Sequence, residues 1–306
     1  MVLSNRVIRN FGQNDMAALG EMYAQVSAQE DVLFWWVGEE SNWKNVICAF
    51  EGDKMVAKGQ LQIFNVVPPG RLPGSKHKIF VNLKTLPGRE QDIGLLDSIY
   101  SLLLERAHEL KGTLPREYGT VLCTGNYAAE ESCNTYFAQH LGYLPHSRLY
   151  TLHRDLNETI PVVELAAGLE SAWVQLDSPE QREAYLELEA EIWPDTPLGV
   201  ERLMEYQEHP LWTSAVVRDA GKVAGSLMVW QEDQKGIIED VFVREPWRRR
   251  GIAKALLVRA LAYLKEHGLE QAQLIAMTTN ESALSLYESV GFQTGRQEIR
   301  LYTELG

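Results

Sequence analysis

The sequence predicts an α/β fold in which two similar domains follow one another along the chain. Strand-like segments alternate with amphipathic helical segments over 306 residues, a length that suits two ordinary domains. Residues 136–143, YFAQHLGY, parallel residues 285–292, SLYESVGF, and residues 89–94 parallel residues 248–253 in the same order. Internal similarity of this kind indicates a repeated structural unit. The alternative is one large domain in which the similarity arises by chance, and two similarities in the same order along the chain disfavour it.

The first half of the chain predicts alternating strands and helices. The helix over 92–110 has the clearest pattern, because its apolar residues recur on one face with a 3.6-residue period. Turn residues predict a hairpin turn at 51–54 and a Pro/Gly-rich loop over 66–75. The aromatic residues between 31 and 43 are expected to pack in the core. The strand regions are 6–9, 45–65, 78–84, 120–123 and 149–152, and the remaining helices are 14–25 and 128–140.

The second half repeats this order of elements. We expect a degenerate first domain over 1–156, a linker over 157–171 that contains Pro161, and a second domain over 172–306. The predicted strands are 173–176, 213–218, 222–231, 237–243, 271–277 and 297–302; helices are predicted at 179–192 and 200–207, from about 252 onward, and from Asn280 onward.

The stretch from 237 to 253, IIEDVFVREPWRRRGIA, predicts a strand, a tight basic turn and a helix. Pro246 ends the strand, because proline cannot donate a hydrogen bond to a sheet. The first N–H groups of a helix have no partner within the helix, so such a turn binds anions. Gly251 leaves room for the ligand, and the arginines add charge and forked donors. A solvated charge run with a loop glycine is the alternative, and the arginine triplet alone favours it.

Two motifs in the second half resemble those of the GCN5-related N-acetyltransferase (GNAT) superfamily. They are V-x-x-x-x-R-x-x-G-x-A at 243–253 and N-x-x-A-x-x-x-Y-x-x-x-G-F at 280–292, and the resemblance extends from residue 172 to the C-terminus. It implies that each domain has a mixed, mostly antiparallel central sheet flanked by helices. It also implies that the basic turn holds the pyrophosphate of acetyl-CoA, with Ala253 where glycine is commoner. The cofactor-binding residues implied are Arg248, Arg249, Gly251, Ile252, Ala253, Lys254 and Asn280, with backbone groups of Val241 and Val243 for pantetheine; no metal is implied.

The same resemblance assigns the chemistry of acyl transfer to three residues. Glu239 is the expected base that removes a proton from the amine, with Asp240 as the second candidate. Adjacent residues on a regular strand point to opposite faces, so only one of the two is expected to face the reacting centre. Tyr287 is the expected acid for the departing thiolate. The structural alternative for the two acids is a surface carboxylate on an edge strand, and for Tyr287 it is a packed position in the core. For Asn280 the alternative is a helix N-cap.

Composition limits the possible partners. The net charge of −13 argues against a nucleic-acid surface and mildly attracts cations. The three cysteines and seven histidines show no metal-ligand spacing and no disulfide framework. No signal peptide and no apolar run of about 20 residues are present, so a cytoplasmic protein without a membrane partner is expected. Glu189, Glu191 and Asp195 lie where the family's substrate loop is expected, and they favour a cationic acceptor or form a solvated helix end.

The sequence thus predicts an acetyl-CoA-dependent N-acetyltransferase that acts on an amine, either a small molecule or a peptide, through its C-terminal domain. A non-catalytic acyl-CoA-binding protein and a mycothiol-synthase-like acyltransferase are the alternatives. The N-terminal copy is expected to be catalytically inactive, because Asp92 stands where Gly251 stands and Ala138 occupies the tyrosine position. The acceptor and the oligomeric state are left open.

Overall fold

The computed structural model describes residues 6–28, 32–194, 198–277 and 281–306, and it has the predicted α/β fold class. The elements in chain order are β1 (Arg6–Asn10), α1 (Met16–Ser27), β2 (Val46–Glu51), β3 (Lys54–Asn65), β4 (Lys76–Thr85), α2 (Ile93–Lys111), β5 (Gly119–Tyr127), α3 (Glu131–Thr135), β6 (Leu144–Asp155), β7 (Leu169–Val174), α4 (Pro179–Ile192), α5 (Val200–Gln207), β8 (Thr213–Asp219), β9 (Lys222–Glu232), β10 (Lys235–Val243), α6 (Ile252–Glu266), β11 (Gln271–Met277), α7 (Glu281–Glu288) and β12 (Gln293–Glu304).

The chain forms two compact units. The first extends to Arg148 and includes Gln297–Gly306, and the second is Leu149–Arg296. The predicted limits differ from these at two segments: 149–156 was predicted in the first domain, 1–156, and lies in the second unit, whereas 297–306 was predicted in the second domain, 172–306, and lies in the first unit. The difference arises because β5 pairs with residues 298–304 of β12, whereas β11 pairs with residues 149–155 of β6. Sequence patterns indicate that a segment is a strand but not which strand it joins.

The first unit has a mixed sheet with strand order β1-β2-β3-β4-β5-β12, in which only the β4–β5 pair is parallel. Helix α2 packs its apolar face, including Ile99 and Leu103, against β3. The predicted helix over 128–140 is shorter than expected and continues from α3 into a π-helical turn at Tyr136–His140. Its start is delayed because the Glu130 carboxylate accepts the backbone N–H of Tyr127, which forms a turn instead.

The second unit has strand order β6-β11-β10-β9-β8-β7, and only the β10–β11 pair is parallel. Helix α6 buries Leu256, Leu257 and Leu264 against one face of this sheet. The close approach requires Gly236, since a Cβ there would lie 2.4 Å from the Leu264 side chain. Helices α4 and α5 cover the other face over a separate aromatic cluster. The observed bounds of α4, α5 and β11 match the predicted ones.

Candidate active site

A β-bulge in β10 places the two candidate bases. Glu239 lies opposite Met228 of β9 and Phe242 lies opposite Ser226, so β10 has one extra residue between these pairs. Asp240 in the bulge takes a left-handed conformation with φ of 53°. The alternation of side chains is therefore interrupted. The expectation that Glu239 and Asp240 point to opposite faces was wrong, because a regular strand was assumed.

Both carboxylates lie on the side covered by α4 and α5. Residues directly opposite in an antiparallel pair share a face, so Glu239 lies on the face of Met228 and Trp230. Asp240 Oδ2 accepts a hydrogen bond of 2.9 Å from the Tyr185 hydroxyl of α4. Tyr185 packs in the aromatic cluster with Met228 and Phe242. This face of the sheet thus presents two adjacent acids.

The electrostatic environment makes these acids titrate near neutrality. Burial, followed by the neighbouring charge of Asp240, raises the pKa of Glu239 to about 7, and Arg202 partly opposes this. Burial raises the pKa of Asp240 to about 6, against the lowering effect of the Tyr185 hydroxyl. A carboxyl group with a pKa near the working pH suits general base catalysis.

Aromatic rings pack on the same face of the sheet as the two acids. Tyr206 of α5 stacks on Trp230 with ring centroids 4.6 Å apart, and Trp193 contacts Phe242 edge-on at 5.8 Å. Arg202 donates to the Tyr206 hydroxyl at 3.1 Å. Burial and the charge of Glu239 raise the pKa of Tyr206, which places this ring within electrostatic range of the base. The sequence analysis missed Tyr185, Tyr206 and Arg202, because nothing in an amphipathic helix marks which polar residue reaches a neighbouring strand.

Strands β10 and β11 separate just beyond the point where they pair. Their parallel pairing covers Lys235–Ile237 opposite Gln271–Gln273, while β10 continues to Val243 and β11 to Met277. In the described part of the chain, no strand other than β9 pairs with β10 after Ile237. The backbone groups of Val241 on that side are thus available to an extended ligand. The Val243 carbonyl already accepts a 3.2 Å hydrogen bond from Arg248 Nε.

The basic turn leads from this opening to the start of α6. Gly251 is the N-cap residue with φ of 76°, and no side chain caps the helix. Apart from Gly251 and its two chain neighbours, no atom of the described residues lies within 4 Å of the position of a Cβ at Gly251. Ile252 is buried in the core, so the part of this residue that faces the turn is its backbone. The first turn of α6 therefore presents open N–H donors to an anion.

The charges around this turn are only partly neutralised. Arg250 pairs with Asp219 at 3.1 Å, and Asp219 also accepts the Trp247 indole N–H at 2.9 Å. In the ranges that the structure describes, Arg248, Arg249 and Lys254 form no ion pair. These three side chains, with half-buried Ala253 beside them, leave positive charge available to an anionic ligand at the turn.

Tyr287 of α7 is buried with its ring 6.1 Å from that of Phe292. Burial, and then the charge of Glu239, raise the pKa of Tyr287 to about 12. The hydroxyl therefore stays protonated at neutral pH and lies within electrostatic range of the candidate base. Asn280, the remaining cofactor candidate, lies outside the described residues.

The acids predicted for a substrate loop are engaged elsewhere. Glu189 is buried and accepts the backbone N–H of Leu198 at 3.2 Å. Glu191 forms a two-pronged ion pair with Arg244 at 3.2 and 2.9 Å. These contacts fix the start of α5 and the end of β10 relative to α4. Asp195 lies outside the described residues.

The equivalent turn in the first unit is closed. Asp92 caps α2 by accepting the backbone N–H of Leu95 at 3.0 Å. Arg89 donates to Asp92 at 2.6 Å and to Glu51 at 3.0 Å. The offset that aligns the two turns is 248 − 89 = 159 residues, and it places Phe80 at the position of Glu239, since 239 − 159 = 80. This copy lacks both an open anion site and a carboxylate at the base position.

Similarity to known proteins covers different lengths of the chain. Residues 172–292 match the family model for the acetyltransferase (GNAT) family. This chain contains a GNAT acetyltransferase domain. The fold of the chain resembles a GCN5-related N-acetyltransferase of Sphaerobacter thermophilus, with a TM-score of 0.76 and 20% identity over 100% of this chain and 97% of that one. A tandem GNAT protein from the clavulanic acid biosynthesis pathway gives a TM-score of 0.67 and 14% identity over 99% of both chains.

Curated relatives match this chain over part of their length. A mycothiol acetyltransferase of Thermobispora bispora is 30% identical over 158 residues, which cover 47% of this chain and 53% of the relative. An N-alpha-acetyltransferase MAK3 of Arabidopsis thaliana is 34% identical over 86 residues, or 27% of this chain and 45% of the relative. The chain thus spans about half the length of these relatives. The family uses acetyl-CoA as co-substrate, which supports acyl transfer in general.

Two further observations bear on the predicted partners. None of the helices described is both long and apolar enough to cross a membrane. Among the described residues, no group of three or more His, Cys, Asp or Glu side chains is arranged to hold a metal ion.

Proposed function

We propose that the second unit is an acetyl-CoA-dependent N-acetyltransferase whose acceptor is a cationic amine. The observation that carries this proposal is the bulge in β10. It sets Glu239 and Asp240, both with raised pKa, beside the opening between β10 and β11 and on the strand that leads into the uncapped start of α6. An acid pair, a slot for an extended thiol ester and an anion site thus follow one another along 15 residues, from 239 to 253 (253 − 239 + 1 = 15).

In the proposed reaction, separate residues bind acetyl-CoA and transfer protons. Bound acetyl-CoA supplies the activated acetyl group. The N–H groups at the start of α6, with Arg248, Arg249 and Lys254, bind the phosphates, and Val241 and Val243 orient the pantetheine arm through their backbone. Glu239 takes the proton from the acceptor ammonium, either directly or through water. Tyr287 returns a proton from its hydroxyl to the departing sulfur.

The aromatic and acidic wall sets the class of acceptor. Two carboxylates attract an ammonium ion, and the rings of Tyr206, Trp193 and Trp230 suit the apolar body of an amine as well as its charge. Asp240 is held by the Tyr185 hydroxyl and serves to bind the cation. Glu239, which has the higher pKa of the two, serves as the proton acceptor.

A panel of acceptors tests the proposal. Diamines, amino acid amides, peptide N-termini and carboxylate-bearing amines are incubated with acetyl-CoA, and thiol release is followed together with mass analysis of the acetylated product. We expect turnover to be highest for acceptors whose only charge is positive. Asp240→Asn should raise KM for those acceptors, while Glu232→Gln, a matched change on the exposed end of β9, should have no effect. Acetyl-CoA binding without turnover of any amine would support a non-catalytic acyl-CoA-binding protein instead.

A further inference from the structure

A cavity in the first unit lies where β4 and β5 part. The two strands pair in parallel from Lys76 opposite Gly119 to Val81 opposite Thr124, and both continue beyond this point. The cavity has a volume of about 330 Å³. Its walls include the end of β4 and the start of α3. It therefore occupies the same place in the first unit that the opening between β10 and β11 occupies in the second.

The cavity is closed to a CoA thioester at the phosphate end. The Asp92 carboxylate already occupies the start of α2, where it accepts a backbone N–H and an Arg89 hydrogen bond. Arg89 already pairs with Asp92 and Glu51, so a phosphate in this place would have to displace a carboxylate from it. A ligand of this cavity would therefore not place a diphosphate at the start of α2.

A buried ion pair forms one polar wall. Lys84 is 5% exposed and pairs with Glu130, which is 7% exposed. Lys84 Nζ also donates to Asn126 Oδ1 at 2.8 Å, and the second oxygen of Glu130 accepts the N–H groups of Leu33 and Tyr127. An ammonium group has three donors, and the described residues satisfy two of those of Lys84. The third is available to an oxygen acceptor within the cavity.

The remaining charges on the walls are negative. Glu90 is half-buried and Glu131 is exposed, and neither forms an ion pair with any residue that the structure describes. With Lys84 and Glu130 compensating one another, Glu90 and Glu131 are the two carboxylates among the described lining residues that have no compensating charge. Val26, Leu83 and Leu96 supply apolar surface opposite them. The volume of about 330 Å³ lies at the lower end of the range of pockets for small organic ligands, about 300–1,000 Å³.

From this combination we infer that the first unit binds a small primary amine that has an apolar body and an uncharged oxygen acceptor, such as an amino alcohol. The ammonium lies at Glu90 and Glu131, the oxygen accepts from Lys84, and the apolar body covers Leu83 and Leu96. This site performs no acetyl transfer. It is separate from the acceptor site proposed above, and it requires neither acetyl-CoA nor the residues of the second unit.

Cys133 provides a local reporter for this site. It lies on the cavity wall and is half-buried, whereas Cys48 and Cys123 are fully buried. The full chain is treated with iodoacetamide in the presence of L-leucinol, and carboxamidomethylation of Cys133 is followed by peptide mass analysis. We expect leucinol to slow the modification in a saturable manner. 4-Methylpentan-1-ol, which lacks the ammonium, should protect weakly or not at all.

Charge-removing variants complete the test. Glu90→Gln and Glu131→Gln should each weaken protection by leucinol about fivefold to tenfold, as expected for loss of one nearby carboxylate. Glu117→Gln, a matched change at an exposed position outside the cavity, should leave protection unchanged. Absence of protection up to about 10 mM leucinol, or equal protection by the alcohol, would overturn the inference.

Calorimetry decides the matter if Cys133 reacts too slowly to follow. The protein for this titration carries Glu239→Gln and Asp240→Asn, so that the second unit contributes no amine binding through its acids. Leucinol should still bind with one site per chain, and Glu90→Gln in the same background should weaken it. No binding heat in this background would refute the amine site, whereas the panel of acceptors above tests the proposed acetyl transfer independently.

Discussion

Replacing Glu239 with glutamine should lower activity strongly and raise stability at neutral pH. Glutamine keeps the size of the side chain and cannot ionise. Burial and the charge of Asp240 raise the pKa of Glu239 from 4.5 to about 7 in the folded protein. Between these values the folded chain binds more protons at this site than the unfolded chain, so its contribution to stability falls as the pH rises through the window.

The expected size of the stability effect follows from the pKa values. A rise from 4.5 to about 7 lowers the stability of the folded wild type by at most about 3 to 4 kcal/mol, at ~1.4 kcal/mol per pKa unit, and this loss is complete above about pH 7. Because the side chain is half-buried and solvent screens its charge, the measured gain for Glu239→Gln should lie below this limit. Denaturant unfolding of wild type and variant at about pH 5 and about pH 8 measures it, and the difference between them should grow with pH.

The catalytic effect of the same change has its own signature. With a pKa of about 7, half of the base is ionised at pH 7, so wild-type kcat/KM should rise with pH and level off above about pH 8. Glu239→Gln should lower kcat by ~10²–10⁴-fold and remove this rise. The assay uses an acceptor whose ammonium group titrates above the pH range, so that the acceptor stays charged and only the enzyme changes its protonation. A variant that keeps the wild-type pH profile and rate would remove Glu239 from the mechanism, and Asp240→Asn would then be tested as the base.

Four further outcomes are expected. Gly251→Asp should abolish acetyl-CoA binding in calorimetry, because a carboxylate and a Cβ would stand at the open start of α6; wild-type affinity would contradict the anion site. Tyr287→Phe should lower kcat by roughly 10²-fold or more with little change in acetyl-CoA affinity, and an unchanged kcat would leave Tyr287 as a core residue. Titration should give one CoA per chain, since Asp92 closes the other turn, and a second equivalent would refute that closure. Burial lowers the pKa of Lys58 from 10.5 to about 7, so between these pH values the unfolded chain binds more protons than the folded chain, and stability should rise with pH. Lys58→Met should flatten this rise in stability, measured by denaturant unfolding at several pH values. An unchanged dependence of stability on pH would show that Lys58 is not its source.

The elements that the sequence predicted well are those with a strong local signal. Helix α4 has a Ser178 cap with Pro179 at its first position, and helix α6 follows a glycine in a left-handed conformation, so their starts are encoded locally. Strand ends were predicted less well, because polar residues continue the pairing in β5, β6 and β12. Strand pairing depends on contacts between segments that are distant in the sequence, so no local pattern predicts it.

The candidate site was predictable in its parts and not in its geometry. The family motifs identified Glu239, Asp240 and the turn at Gly251. The bulge at Asp240 was not predictable, since an aspartate with positive φ is strained and persists only where surrounding contacts hold it. Here the Tyr185 hydroxyl holds its carboxylate at 2.9 Å. The tertiary contact thus fixes the local conformation, and local sequence alone could not reveal it.

The two units differ in what supplies negative charge to the N-terminal end of the helix that follows the turn, α2 in the first unit and α6 in the second. In the second unit Gly251 leaves the N–H groups of α6 without a side-chain cap, so the phosphate of the proposed ligand would complete the helix start. In the first unit the Asp92 carboxylate performs this role permanently, which favours the folded helix by about 1 kcal/mol and excludes the ligand. Asp92→Gly would reopen the donors of α2, but it would leave Phe80 at the position of the base. A single substitution therefore cannot restore catalysis to the first unit, whose retained cavity is better explained by a different ligand.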